Sequence, residues 1–73
     1  VHLSAFGVGR VKAAALFDIS VSLFDRLVHQ GVFPQPRVLG GRLIWDIGEL
    51  GEAWQLVPHR DDEALTAGNP WDD

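Results

Sequence analysis

Residues 32–45 read VFPQPRVLGGRLIW, and this stretch excludes an all-helical fold. Pro34 and Pro36 each fix their own φ and bias the preceding residue away from the α region, so the chain there must run extended. Two β-type runs, RVL and RLIW, then flank Gly40-Gly41. That pair can supply the positive φ angles of a two-residue type I′ turn. The spacing predicts a β-hairpin with Arg37 and Arg42 near its two arms.

Helical signals stand on both sides of the hairpin. Upstream, VKAAALFD gives a helix of about two turns, with Val11, Ala14, Ala15, Leu16 and Phe17 as its buried side. A helix that short persists only when packed. Next, Ser20 stands as N-cap and Gly31 as the left-handed exit of a second helix, whose apolar stripe is Phe24, Leu27 and Val28. Ser22, Asp25, Arg26 and His29 take much of its remaining surface. The short gap between the two helices reads as a helix-turn-helix, in which the second helix enters the major groove.

Downstream, Asp46 with Glu49 three residues later is an Asp form of the capping box, in which Glu49 reaches back to the cap amide. Ile47, Leu50, Ala53, Trp54 and Val57 follow at helical spacing, and Pro58 closes the segment. The expected core is Phe17, Phe24, Leu27, Ile44, Trp45, Leu50 and Trp54. Residues 1–10 show no sustained periodicity and read as a lead-in, with Leu3 and Phe6 docking on that core and Ser4 a weak candidate cap. The organisation expected is α+β: one domain over residues 1–60, in the order helix, helix, β-hairpin, helix, followed by an acidic tail over residues 61–73.

The chain has 73 residues, enough for one thin core and no second domain. It has no Cys, which removes disulfides, thiolate metal sites and cysteine catalysis, and leaves His2, His29 and His59 too scattered for a zinc staple. The sequence offers no metal site and no cofactor site, and no phosphate loop or nucleophile motif, so an enzyme is not expected. No window approaches a membrane span and no signal segment is seen, which reads as soluble and intracellular. Val1, in a chain without Met, reads as a processed terminus or a fragment boundary. The net charge of -4 is unevenly placed. Residues 1–60 hold all six basic side chains and five acidic ones, a balance of +1, whereas residues 61–73 hold five acidic and none basic. Phosphate contacts must therefore come from local clustering and not from a strong overall field.

The ordered set of Ala13-Ala14-Ala15-Leu16, Ile19-Ser20-Val21-Ser22, Phe24-Asp25-Arg26-Leu27-Val28, Gly31, Pro34, Pro36-Arg37, Gly40-Gly41-Arg42, Trp45-Asp46 and Glu49-Leu50 resembles a known family. It is that of the small winged-helix proteins of the excisionase and AlpA type, related in architecture to the DNA-binding head of MerR regulators. The resemblance covers roughly residues 11–56. It implies a winged helix-turn-helix and a double-stranded DNA partner, in a transcriptional regulator or a recombination directionality factor of phages and integrated elements. A bacterial or phage-like cytoplasm, near the nucleoid, is the implied location. By position it puts Ser20 and Ser22 at the front of the recognition helix, Arg26 facing DNA, Arg37 and Arg42 on the wing, and Trp45 as the lock between wing and core. The chain departs from the pattern at Val21, at His29, at Ile47-Gly48 where relatives carry a basic pair, and at Asp18 where they often carry glycine.

Each candidate also has a plainer reading. Ser20 is a helix cap in either case. Arg26 reads as a fork for guanine or phosphate, against an intrahelical pair for which Ser22 and Gln30 are the only neighbours at i±4. Asp25 accepts from a cytosine or orients a wing arginine. His29 suits a helix C-terminus as a cation. Arg37 and Arg42 serve phosphate or minor groove, or keep an edge strand soluble. Lys12, with Arg10, is a phosphate contact or ordinary surface charge. Besides DNA, the partners to weigh are a recombinase or other protein and a second copy on DNA, but no membrane. The competing function is a non-catalytic protein-interaction module on a diverged winged-helix scaffold.

Overall fold

The computed structural model describes residues 6–61. The expected docking of Leu3, the Ser4 cap and nearly all of the acidic tail lie outside the described residues. The order is β1 (Gly7–Val8), α1 (Arg10–Leu16), α2 (Val21–His29), β2 (Arg37–Leu39), β3 (Arg42–Asp46) and α3 (Ile47–Leu56). This is an α+β fold of winged helix-turn-helix topology.

The two helices of the helix-turn-helix end in the same way. At the end of α2 the Gly31 amide donates to the Val28 carbonyl and the Val32 amide to that of Leu27, at 3.1 and 2.9 Å. At the end of α1 the Asp18 amide donates to Ala15 and the Ile19 amide to Ala14, at 3.1 and 3.2 Å. Both are Schellman closures, which need a left-handed residue just past the helix. Gly31 fills that place at φ +85°, and Asp18 fills it at φ +56°. Asp18 thus occupies the backbone conformation for which glycine is the usual choice. Ser20 begins α2 as expected, its Oγ accepting from the Leu23 amide at 3.1 Å.

The hairpin forms around Gly40-Gly41, with φ of +59° and +82° and the register Leu39↔Arg42, Val38↔Leu43 and Arg37↔Ile44. A third strand joins it. The lead-in, expected to be irregular, pairs antiparallel with β3 through Gly7↔Asp46 and Val8↔Trp45, giving the order β1-β3-β2. Gly7 makes this approach possible, because a Cβ there would fall 2.5 Å from Ile44 Cγ2 and 3.3 Å from the Trp45 carbonyl. Val8 is buried, while Phe6 is 79% exposed and does not dock on the core.

The core consists of Val8, Ala13, Ala14, Phe24, Val28, Phe33, Trp45 and Leu50, with Phe17, Ile19, Val21, Leu27, Ile47 and Ala53 packed around it. Phe24 lies at its centre, edge-on to Trp45 at 5.1 Å between ring centroids and stacked on Phe33 at 5.4 Å. Three expectations are corrected. The side of α1 that packs is Ala13 and Ala14, while Val11, Ala15 and Leu16 are exposed, because the sheet and α2 close on the small alanines. Trp54 is 53% exposed, since α3 packs through Leu50 with Ile47 and Ala53 beside it, which leaves Trp54 on the flank against Phe17. Ile44 is only half-buried.

Candidate nucleic-acid interface

Helix α2 carries the clearest polar face. Phe24 and Val28 point into the core, and Ser22, Arg26 and His29, spaced i, i+4 and i+7, are all exposed on the opposite side. Arg26 makes no ion pair among the described residues, so its planar fork points to solvent on a helix held rigid from below. The front of the same helix has Ser20, whose hydroxyl is already engaged as the cap.

The other charged candidates are arranged differently from what their spacing suggests. Asp25, expected to steady an arginine of the wing, instead meets the Nε of Arg10 at the start of α1, at 3.2 Å. Arg37 on β2 donates from Nη2 to the Glu49 carboxylate of α3 at 2.7 Å. Glu49 therefore does not reach back to the cap amide. Only half of the capping box forms, through Asp46 Oδ2 accepting from the Glu49 amide at 2.8 Å. The Arg37–Glu49 pair ties the hairpin to the helix that follows it, but at 67% and 37% side-chain exposure it contributes little stability.

Arg42 lies over Gly9, where its guanidinium would stand 3.5 Å from a Cβ at that position. That places it with Arg10 and Lys12 around a groove of about 830 Å³ between β1, α1 and β3, floored by apolar side chains including Val11, Leu16 and Ile44. The grouping depends on the pairing of β1 with β3, which brings Gly9 beside Arg42. The candidate cations are thus distributed as Arg26 on the α2 face, Arg37 tied to Glu49, and Arg42 with Lys12 and Arg10 at the groove.

Trp45 holds the wing in place. It is buried, packs on Phe24, and donates its indole N–H to the Pro34 carbonyl at 2.8 Å, which fixes the entry into the hairpin relative to the second helix. A second, almost wholly apolar groove of about 530 Å³ opens between the helix-turn-helix and the end of α3, lined by Phe17, Leu27, Val32, Trp54 and Leu56 among others. Among the described residues no group of three His, Asp or Glu side chains is placed to hold a metal ion, and no helix is long and apolar enough to cross a membrane.

Comparison of the chain with protein-family profiles, curated proteins and solved structures finds no match. The winged helix-turn-helix topology therefore stands on the geometry of the chain itself.

Proposed function

We propose that this protein binds double-stranded DNA sequence-specifically, with α2 in the major groove and the β2–β3 hairpin against the backbone or minor groove. The observation that carries this reading is the exposed row of Ser22, Arg26 and His29 on a helix whose opposite face is anchored by Phe24 and Val28. A helix presented in this way places short polar side chains and one planar cation at base edges, where Arg recognises guanine through two parallel hydrogen bonds. Arg42 and Lys12 supply phosphate contacts, as does Arg37 once phosphate competes with Glu49 for its guanidinium. On this reading the chain is a binder and not an enzyme. Its resemblance to the excisionase and AlpA type supports reading it as a small regulator or recombination directionality factor, working in the cytoplasm on DNA beside a recombinase or another copy of itself.

The test is selection of duplexes from a random pool by the purified protein, followed by titration of the selected and a scrambled duplex. Enrichment of a defined site, bound at least about 10³-fold more tightly than the scrambled duplex, is the expected result. Equal affinity for both, or none, overturns the reading. A second reading, a protein-interaction module, is favoured by the apolar groove around Trp54 and Leu56, side chains 53% and 84% exposed.

A further inference from the structure

The groove between β1, α1 and β3 has a mixed chemistry. Arg10, Lys12 and Arg42 stand around it, apolar Val11, Leu16 and Ile44 form much of its floor, and no carboxylate is among its lining residues. Val11 and Leu16 are 69% and 55% exposed, which leaves an apolar surface next to a cluster of cations. A bare phosphate would satisfy the cations and leave that floor in water. The ligand chemistry that satisfies both is a short acidic segment bearing an aromatic ring.

Beyond α3 the chain contains one such segment: residues 70–73 read Pro-Trp-Asp-Asp. We propose that this groove is the docking site, in cis, for those residues, with the Trp71 ring on the apolar floor and the Asp72 and Asp73 carboxylates on Lys12 and Arg42, beside an Arg10 already paired with Asp25. Length permits it. Ile47, the first residue of α3, also lines the groove. From there α3 runs about 15 Å. Five further residues to Asp61 add at most about 18 Å. Asp61 is thus within about 33 Å of the groove, and the ten steps from Asp61 to Trp71 reach up to about 36 Å. The other groove is nearer to Asp61, but none of its lining side chains is charged, so it offers the two carboxylates nothing. The docking stands independently of the DNA reading. Combined with it, docking makes the tail a competitor for Lys12 and Arg42, two cations that phosphate would otherwise meet.

The experiment is amide-resolved NMR of the full chain, comparing wild type with Trp71→Ala and with Asp72→Asn/Asp73→Asn. Shift changes at Gly9, Val11, Lys12 and Ile44, independent of protein concentration and with the core amides of α2 unmoved, are the expected result. Lys12→Glu should produce the same changes, and combining it with Asp73→Lys should restore the wild-type positions. Changes confined to residues 62–73 overturn the proposal. So do changes centred on Phe17, Trp54 and Leu56, which would put the tail in the apolar groove, and changes that grow with concentration, which would make the occupant a second copy. Groove signals that ignore both tail variants and move only on adding duplex DNA also overturn it, leaving a phosphate surface in its place.

Discussion

The indole N–H of Trp45 donates to the carbonyl of Pro34 across 2.8 Å, so the last turn before the hairpin and its final strand are joined by one side-chain bond inside the fold. Pro34 has no amide to offer the sheet, but its carbonyl still needs a donor. Trp45→Phe keeps the edge-on packing against Phe24 in kind and leaves that carbonyl without its donor. The expected cost is about 1–3 kcal/mol for the unsatisfied acceptor. In a domain of this size each kcal/mol lowers Tm by roughly 4–8 °C, measurable by circular dichroism.

Asp18 holds a left-handed conformation at φ +56° at the C-terminal end of α1. An ordinary residue is disfavoured there by roughly 1–2 kcal/mol, and glycine's larger loss of freedom on folding returns part of any gain. A carboxylate at a helix C-terminus is also opposed by the helix dipole. Asp18→Gly should therefore raise stability by about 0.5–1 kcal/mol. Asp18→Asn, which removes the charge and tolerates the conformation, should gain a smaller part of it. Denaturant midpoints for the two variants check the ordering.

Glycine at position 7 works in the opposite sense. A Cβ there would meet Ile44 Cγ2 at 2.5 Å, and the branched Ile44 has no flexible end to swing away. Gly7→Ala should cost about 1–3 kcal/mol by overpacking, with loss of protection at β1 ahead of α2 in hydrogen exchange. Equal protection of Val8 in the variant and the wild type would show that the strand adapts.

Gly51, inside α3, has open space where its Cβ would go. Gly51→Ala should stabilise by about 0.5–1 kcal/mol through helix propensity alone, without changing DNA affinity. Thermal melts and duplex titration of the same variant check both halves.

These residues also show what the sequence could and could not reveal. The hairpin and the start and stop of α2 were legible because Pro34, Pro36, Gly40-Gly41, Ser20 and Gly31 act through local φ and hydrogen-bond constraints, which need no knowledge of the rest of the fold. The third strand was not legible. Two residues give no periodicity, and Gly7 shows its purpose only when Ile44 is beside it. The exposure of Trp54 is not legible either, because helical spacing fixes which residues share a face, but not where along that face the neighbouring elements end. The partners of Asp25 and Glu49 escaped for the same reason: ion pairs are set by tertiary proximity, and both nearest cations, Arg10 and Arg37, come from other elements. On the candidate interface the row Ser22, Arg26 and His29 could be read from spacing, whereas the gathering of Arg10, Lys12 and Arg42 could not.

Arg26 and Arg37, two of the arginines on the proposed DNA surface, should respond differently to removal. Arg26, unpaired among the described residues on the exposed face of α2, is placed to read a base, so Arg26→Ala should cost about 1–3 kcal/mol on the selected duplex and much less on a scrambled one. Arg37 is held by Glu49 at 2.7 Å and meets DNA only by exchanging that carboxylate for phosphate. Arg37→Ala should weaken both duplexes alike and reduce the salt slope by about 0.9, the increment for a single phosphate left with its counterion. Removing the competitor has the opposite sign: Glu49→Gln should tighten binding to both duplexes at low salt, and the gain should shrink as salt rises. In the Arg37→Ala background Glu49→Gln should give little of that gain, because the cation it releases is gone. Fluorescence anisotropy at two salt concentrations for the four proteins of this cycle, with Arg26→Ala alongside, checks every sign. If Glu49→Gln tightens binding equally with and without Arg37, the effect is general charge and the wing contact is wrong.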